Sequence, residues 1–247
     1  MPRERWSSNA PFDRARSCNH ARMEKRALQK KKIGDAQGIR CLFLDIGGVL
    51  LSNGWDHAAR KRAMAHFELD PREVEVRHHL VIECYEEGKL TFERYLDQVV
   101  FFRKRSFTRA QFKAVMREQS TARPGMIDLF QDLKRKHRLK VVVVSNEGRE
   151  LNAYRIRKFE LTRLADFFVS SCFLGIRKPD VRMFRLALDL SQVEPARVLY
   201  VENTAMFTEV AGDLGIRSIL HKNLHSTREK LASFRFATGW SAIHDSA

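Results

Sequence analysis

The 247-residue sequence predicts an α/β fold, namely a doubly wound parallel sheet with an inserted all-helical lobe. Two observations lead to this prediction. Short apolar runs alternate with amphipathic segments of helical length, which is typical of a parallel sheet covered by helices on both faces. The first two runs are separated by about 65 to 70 residues of helical pattern, far more than a crossover between parallel strands needs.

The predicted strands are apolar runs that stop at polar or turn-forming residues. The first, Cys41–Leu44, ends at Asp45 and is followed by Gly47-Gly48, a pattern typical of a buried strand that enters a tight loop. The later runs are Val141–Val144, Phe167–Val169, Val198–Val201 and Ile216–Leu220. Between these later runs the spacing predicts helices over Leu151–Leu164, Val181–Leu190 and Ala205–Leu214.

The long interval after the first strand contains four segments with helical spacing, and none with a strand-like run of the core type. They are Asp56–Phe67, Pro71–Glu87, Thr91–Phe102 and Thr108–Gln119. We therefore predict an α/β core formed by residues 39–54 and 123–235 and a helical cap formed by residues 55–122. Residues 1–38 are predicted to be a basic, disordered extension, and residues 236–247 a C-terminal tail.

The formal net charge of +15 raises the question of nucleic-acid binding. Residues 1–38 carry ten Lys or Arg against four acids, the remaining excess is dispersed, and the dense run is Lys30-Lys31-Lys32. A dispersed charge does not favour nucleic-acid binding as the main role. The sequence has no apolar stretch typical of a membrane span or secretory signal, so we expect a cytoplasmic protein without a membrane partner.

The four cysteines are widely spaced, with no CxxC pair, and are expected to be reduced structural residues. They are Cys18, Cys41, Cys84 and Cys172.

Polar residues follow the predicted strands at the points where each strand ends. They are Asp45, Ser145, Lys178, Glu202 and Asn203. Ligands of an open parallel sheet bind outside the carboxyl ends of its strands, so these residues are expected to share one cleft. A single Asp or Ser after a strand is more often a helix cap or a turn former. Together, a carboxylate, a hydroxyl, an ammonium group and a second acid favour a site for phosphoryl or acyl transfer.

Four segments carry a resemblance to a known superfamily. They are Leu42–Leu50 (LFLDIGGVL), Val143–Asn146 (VVSN), Arg177–Asp180 (RKPD) and Tyr200–Asn203 (YVEN). In order and spacing they resemble the four motifs of the haloacid dehalogenase superfamily, over residues 39 to 235. The predicted helical lobe resembles that superfamily's helical cap, and Tyr85–Thr91 (YEEGKLT) resembles a segment common in such caps.

The resemblance implies roles for individual residues. Asp45 would be the nucleophile that forms a covalent aspartyl intermediate, Ser145 would hydrogen-bond the transferring group, and Lys178 would orient and neutralise the nucleophile. This agrees with the physical requirement for positive charge and donors near a carboxylate that attacks an anion. Substrate-binding positions would be Gly47, Gly48 and Asn146.

The resemblance also implies a Mg²⁺ site at the positions of Asp45, Gly47, Glu202 and Asn203, but the motifs are degenerate in two places. Superfamily phosphatases place a second Asp, which acts as general acid, where this chain has Gly47, and glycine cannot transfer a proton. The fourth motif usually supplies an Asp ligand where this chain has Asn203, whose neutral amide contributes less charge. Magnesium binding is therefore expected to be weak or absent.

Three hypotheses follow for the function. The first is a phosphatase-like hydrolase acting on a small phosphomonoester, with diminished or redirected activity and with Asp56 or His57 as an alternative proton source. The second is a metal-free 2-haloacid dehalogenase-like hydrolase, because halide departs without protonation, with Trp55 and arginines of the helical lobe as candidates for a halide site. The third is a binding protein that retains the cleft without catalysis. A closing cap favours small-molecule substrates, and the sequence leaves the oligomeric state open.

Overall fold

The computed structural model describes residues 38–236 and contains a five-stranded, all-parallel sheet. The strands are β1 (Cys41–Leu44), β2 (Lys140–Ser145), β3 (Phe167–Ser170), β4 (Val198–Glu202) and β5 (Arg217–Leu220). Their order across the sheet is β3-β2-β1-β4-β5. The predicted α/β fold class and all five predicted strands are confirmed. The predicted extension and tail lie outside the described residues, except for Gly38 and Phe236.

Strand residues alternate between two hydrophobic clusters on opposite faces of the sheet. On β1, for example, Leu42 and Leu44 join one cluster, whereas Cys41 and Phe43 join the other. Both faces are therefore buried, which explains why the strands are continuous apolar runs rather than alternating ones. Cys41, Cys84 and Cys172 are free thiols, and Cys18 lies outside the described residues.

Helices and loops connect the strands. After β1 come α1 (His57–His66), α2 (Pro71–Glu86), α3 (Phe92–Val99), α4 (Arg109–Glu118) and α5 (Met126–His137). After β2 come α6 (Arg149–Lys158), α7 (Ser171–Leu174), α8 (Val181–Ser191), α9 (Ala205–Asp213) and α10 (Leu224–Ala232). Short 3₁₀ turns lie at 161–163 and 195–197. No helix within residues 38–236 is long and apolar enough to cross a membrane.

Helices α1 to α4, called the helical insertion below, begin at side-chain caps and share a hydrophobic cluster. Each first turn has an N-cap side chain that accepts a backbone N–H bond, which satisfies an otherwise unpaired donor. These caps are Asp56, Asp70, Thr91 and Thr108. The cluster of the insertion includes Trp55, Tyr85, Tyr95 and Phe112, together with Leu151 of α6. The insertion thus packs its own apolar side chains and also contacts the sheet domain through α6.

The sequence prediction differs from the structure in the helices that flank the predicted core. The helix predicted over Leu151–Leu164 ends at Lys158, because the chain turns at Glu160, which has a φ of 49°, and continues as a 3₁₀ turn. The helices α5 and α10 were not predicted. Helix α5 begins after Gly125, whose φ of 71° gives a left-handed entry turn.

The strand order explains where a site can form. From the central β1 the chain moves outward through β2 and β3, and then returns to the other side of β1 to form β4 and β5. The loops after β1 and β4 therefore diverge at their carboxyl ends, which opens a crevice at this point of the sheet.

Candidate active site

Asp45 and Lys178 meet in the crevice at the carboxyl edge of the sheet. The Lys178 Nζ lies 3.0 Å from the Asp45 Oδ1 and 2.7 Å from the Glu202 Oε2. It also donates to the Val144 carbonyl at 3.0 Å and lies 3.1 Å from the Tyr200 hydroxyl. The lysine is 1% exposed, so one buried ammonium group joins the ends of β1, β2 and β4. The structure thus brings together Asp45, Lys178 and Glu202, three of the residues expected to share one cleft.

Glu202 is a buried anion whose oxygens all have partners. Its Oε2 accepts hydrogen bonds from Lys178 and from the Tyr200 hydroxyl. Its Oε1 accepts from the backbone N–H groups of Asn203 at 2.8 Å and Thr204 at 2.9 Å. These four hydrogen bonds satisfy both oxygens of Glu202. In this arrangement Glu202 fixes the position and charge of Lys178.

One ammonium group therefore faces two carboxylates, and the excess negative charge affects the pKa of Asp45. Burial raises the pKa of Asp45 to about 7; Lys178 opposes this shift and Glu202 reinforces it. Burial disfavours the Lys178 ammonium, but Asp45 and Glu202 outweigh that effect and raise the pKa of Lys178. Lys178 therefore stays charged, while Asp45 gains or loses its proton near neutral pH.

Asn146 holds the backbone of Lys178. Its Oδ1 accepts from the Lys178 N–H at 2.8 Å, and its Nδ2 donates to the Lys178 carbonyl at 2.9 Å. The side chain predicted to contact substrate thus also positions the lysine, a role that the sequence did not predict. The Ser145 Oγ is buried and has no hydrogen-bond partner among the described residues.

The two glycines after Asp45 differ in what they permit. Gly48 has a φ of 78°, and an added Cβ there would lie 2.3 Å from the Asn203 amide, so a side chain would collide. An added Cβ at Gly47 would meet nothing closer than Asn53 at 3.7 Å, an ordinary contact distance. Position 47 therefore has room for a side chain, although the sequence supplies none.

The four predicted magnesium ligands lie around one cavity but do not form a cation-binding set. With its amide oriented so that both ends find partners, Asn203 donates to the Gly47 carbonyl at 3.0 Å and to the Glu202 Oε1 at 2.9 Å. An N–H donor thus points at two of the oxygens that a cation would need. The Asp45 Oδ1 faces Lys178, and within residues 38–236 no group of three or more His, Cys, Asp or Glu is placed to hold a metal ion. With the Asn203 amide in this orientation, the donor set does not fit Mg²⁺, which requires several oxygen ligands around it.

Two adjoining cavities reach this site. The nucleophile cavity, of about 310 Å³, is lined by Asp45, Gly47, Lys178, Glu202 and Asn203, among others. The insertion cavity, of about 270 Å³, lies between the helical insertion and α6 and is lined by residues that include Trp55, Arg60, His78, Tyr85 and Arg155. Asn53, Glu86, Asn146 and Glu147 line both cavities. A ligand with one end at Asp45 can therefore extend beneath the insertion.

Glu147 is the residue of this site that the sequence analysis missed. It is 5% exposed, its Oε1 pairs with the buried Arg155, and its Oε2 has no partner among the described residues. The Tyr85 hydroxyl is likewise buried without a partner in that part of the chain. An acid two residues beyond the second strand was the available signal, but an acid followed by glycine in a loop also fits an exposed turn.

Asp56 and His57, the alternative proton sources, and Trp55, a candidate for a halide site, differ in their distance from the two cavities. The Asp56 carboxylate caps α1 by accepting the Ala59 N–H at 2.8 Å, and it lines the insertion cavity. The His57 side chain is 73% exposed and lies 3.5 Å from Glu75. Trp55 lines the insertion cavity and donates its indole N–H to the Tyr95 hydroxyl. Asp56 and Trp55 therefore border the site, whereas His57 contacts a residue of α2.

The chain is similar to several known proteins. The family described as haloacid dehalogenase-like hydrolase matches residues 39–206. The bifunctional epoxide hydrolase 2 of Mus musculus is 26% identical over 168 residues, which make up 62% of this chain and 30% of that protein. The protein of the same name from Sus scrofa is 31% identical over 72 residues, 29% of this chain and 13% of that protein. The chain thus spans less than a third of these curated relatives.

Solved structures share the fold at low sequence identity. A HAD family enzyme from Bacteroides thetaiotaomicron has a TM-score of 0.64 at 20% identity, covering 76% of this chain and 95% of that one. The same Bacteroides enzyme has been solved in complex with magnesium and inorganic phosphate. A structure described as a dehalogenase has a TM-score of 0.55 at 22% identity, covering 73% of this chain and 83% of that one.

Proposed function

Because this chain belongs to the haloacid dehalogenase-like hydrolases, we propose that it hydrolyses a small phosphomonoester through a covalent intermediate on Asp45. The observation that carries this proposal is the position of the Asp45 carboxylate, 3.0 Å from the buried Lys178 ammonium in a cavity at the carboxyl edge of the sheet. A carboxylate nucleophile needs such a cation to approach a phosphate anion.

The proposed reaction begins with the ionised Asp45. One carboxylate oxygen attacks phosphorus, and the bond between phosphorus and the leaving oxygen breaks. Lys178 holds the nucleophile in place and offsets the negative charge that accumulates, while Glu202 and the Val144 carbonyl fix the lysine. The unpaired Ser145 hydroxyl supplies a hydrogen bond to the transferring group. Water then attacks phosphorus and releases Asp45.

No step of this mechanism is routed through magnesium, because the oxygens of Glu202 and the Gly47 carbonyl already have donors. The cation Lys178 is the positive charge that this chain itself places beside Asp45. We expect phosphatase activity to depend little on added Mg²⁺, unlike that of enzymes whose metal bridges nucleophile and substrate.

One observation favours a second candidate, a dehalogenase-like hydrolase. Position 47 supplies no proton, and the cavity beside Asp45 continues past Trp55 and Arg155, the residue types expected of a halide site. However, Arg155 already pairs with Glu147 and the Ser52 carbonyl. Release of halide from small 2-halo acids, measured without metal, tests this candidate directly.

The proposed function is tested with a panel of phosphomonoesters assayed for released phosphate with and without Mg²⁺. Wild-type protein should release phosphate, Asp45→Asn should abolish the release, and Asp132→Asn, a change at an exposed acid, should leave it intact. Activity that survives Asp45→Asn would come from a contaminant and would contradict the proposal. A folded protein that is inactive on both phosphate esters and 2-halo acids would instead favour the third hypothesis, a binding protein.

A further inference from the structure

The proposed phosphatase chemistry leaves one requirement unmet. When the bond between phosphorus and the leaving oxygen breaks, an alkoxide departs only slowly unless it receives a proton. Position 47 carries no side chain, so the proton must come from elsewhere. The candidates are the acids that line the nucleophile cavity: Asp45, Glu86, Glu147 and Glu202.

The hydrogen bonds of these acids distinguish them. Asp45 is the nucleophile, and both oxygens of Glu202 are occupied by donors. Glu86 lies 2.9 Å from the Arg177 guanidinium. The Oε2 atoms of Glu86 and Glu147 are both buried without a hydrogen-bond partner among the described residues, but the Glu86 Oε2 is the oxygen that lies beside Arg177. Glu147 differs because its guanidinium partner, Arg155, contacts Oε1 and not Oε2. The Glu147 residue lines both cavities.

The two proton sources suggested by the sequence do not meet the same conditions. The Asp56 carboxylate accepts from the Ala59 N–H at 2.8 Å and from the Asn53 Nδ2 at 3.2 Å, and it lines only the insertion cavity of the two. His57 lines neither cavity and is largely exposed. Neither group is held as a free donor beside Asp45.

We propose that Glu147 is the general acid and base of this site and takes over the role that Gly47 cannot perform. This inference rests on the proposed function. In the first step the Glu147 carboxylic acid gives its proton to the leaving oxygen as that oxygen separates from phosphorus, which yields an alcohol, phosphorylated Asp45 and a Glu147 carboxylate. In the second step Glu147 takes a proton from water as the water oxygen bonds to phosphorus. The bond between Asp45 and phosphorus breaks, inorganic phosphate leaves, and both acids return to their starting states.

The surroundings of Glu147 allow a substantial fraction of the molecules to carry a proton on it near neutral pH. Burial raises the pKa of Glu147 to about 7; Arg155 and Lys178 oppose the shift, and Glu86 reinforces it. A glutamate with the ordinary pKa of about 4.3 would be protonated in fewer than about one molecule in a hundred at pH 7. Glu147 also raises the pKa of Asp45, so the two groups interact across the cavity. The charged and titratable groups that act on Glu147 or lie beside it are Asp45, Tyr85, Glu86, Arg155, Cys172 and Lys178.

The test compares two esters that differ in their need for a proton. The leaving group of p-nitrophenyl phosphate departs as a stable anion, whereas that of benzyl phosphate requires protonation. Glu147→Gln should lower kcat for benzyl phosphate by about 100- to 10,000-fold and kcat for p-nitrophenyl phosphate by less than about tenfold. Glu86→Gln, at another acid lining both cavities, should change the two rates by the same factor, because Glu86 is not the proton donor. The control Asp132→Asn, at an exposed acid, should leave both rates unchanged.

A second variant separates the chemistry from folding. Glu147→Gln leaves the buried Arg155 without its counter-charge, which can destabilise the protein. The double variant Glu147→Gln/Arg155→Gln removes both charges and should show the same difference between the two esters. Equal losses on both esters, or no loss on either, in the folded variants would overturn the role of Glu147.

The wild-type rates distinguish failure of this inference from failure of the proposed function. Wild-type protein that cleaves both esters, with no selective loss in the Glu147 variants, retains the phosphatase function and overturns the general acid. Wild-type protein that cleaves p-nitrophenyl phosphate alone also overturns it, because no internal acid is then acting. Wild-type protein that cleaves neither ester overturns the proposed function, and the inference with it.

Discussion

Replacing Lys178 with methionine tests whether this side chain stabilises the buried charge cluster that it forms with Asp45 and Glu202. Its Nζ contacts Asp45, Glu202, Tyr200 and the Val144 carbonyl, all between 2.7 and 3.1 Å. Methionine fills similar space but removes the cation, so two carboxyl groups remain buried without a counter-charge. Removing one partner of a buried ion pair costs about 3–5 kcal/mol. We expect Lys178→Met to lower the free energy of unfolding by that amount near neutral pH.

The loss in unfolding free energy should depend on pH. A buried carboxylate that has lost its counter-charge can become neutral by taking up a proton. For a glutamate with an unfolded-state pKa of about 4.3, protonation costs about 4.4 kcal/mol at pH 7.5 and about 1.6 kcal/mol at pH 5.5. The native variant then holds more protons than its unfolded state, so its stability falls as pH rises. The deficit of the variant relative to wild type should therefore shrink by about 2–3 kcal/mol between pH 7.5 and pH 5.5.

Urea unfolding of both proteins at the two pH values measures this deficit. Lys134→Met is the matched control, because Lys134 bonds the Leu164 carbonyl and Asp166 at the surface, and it should cost less than about 1 kcal/mol. A Lys178→Met deficit below about 1 kcal/mol at pH 7.5, or one that is equal at both pH values, would refute the charge-cluster reasoning.

Further predictions concern the loop, the cation site and the proton donor. Gly48→Ala should destabilise the protein by about 1–3 kcal/mol and impair activity, because its Cβ would lie 2.3 Å from the Asn203 amide at a positive φ. The control Gly212→Ala lies in a helix, where an added Cβ meets nothing within 4 Å, and should be neutral or stabilising. Equal effects at the two positions would contradict this prediction. Asn203→Asp should raise the affinity for Mg²⁺ or Tb³⁺ at least tenfold, measured as a thermal shift or by lanthanide luminescence. If wild type binds these cations equally well, the neutral Asn203 amide is not what weakens the cation site. The rate of benzyl phosphate hydrolysis should peak near pH 7, because Asp45 must be ionised and Glu147 protonated, and each has its pKa raised to about 7. Glu147→Gln should remove the fall in rate on the alkaline side. A wild-type rate that keeps rising above pH 8 would contradict the assignment of Glu147 as the acid. Adding Gly47→Asp to Glu147→Gln should restore benzyl phosphate cleavage at least tenfold, because position 47 has room for a side chain, and an unchanged rate would count against a proton donor at either position.

The sheet and the central charge pair were predictable because they depend on properties that are local in sequence. A strand buried on both faces is a continuous apolar run, as in Val141–Val144, and the residue at its end lies at the carboxyl edge of a parallel sheet. That rule brings Asp45 and Glu202 together, because they lie at the ends of the neighbouring strands β1 and β4. Lys178 lies eight positions beyond β3 and reaches Asp45 through a loop whose backbone Asn146 holds. The structure supplies the distance between them.

The features that decide the chemistry depend on contacts between distant segments. In sequence, Glu147 resembles an acid in an exposed loop. It is buried because Arg155, in the following helix α6, and Tyr85, in the helical insertion, lie beside it. The neighbouring Gly148 makes this packing possible, since an added Cβ would lie 2.1 Å from the Tyr85 ring. The partners of the Asn203 amide likewise follow from how two loops approach each other.

A covalent intermediate on Asp45 is the central claim, and trapping it is the most direct test. Wild-type protein is mixed with substoichiometric p-nitrophenyl phosphate, quenched in acid within a single turnover, digested and examined by tandem mass spectrometry. We predict a phosphoryl adduct on the peptide that contains Asp45, localised to that residue and absent from Asp45→Asn. Hydrolysis that proceeds with no adduct at any time point, or with the adduct on another side chain, would contradict the account.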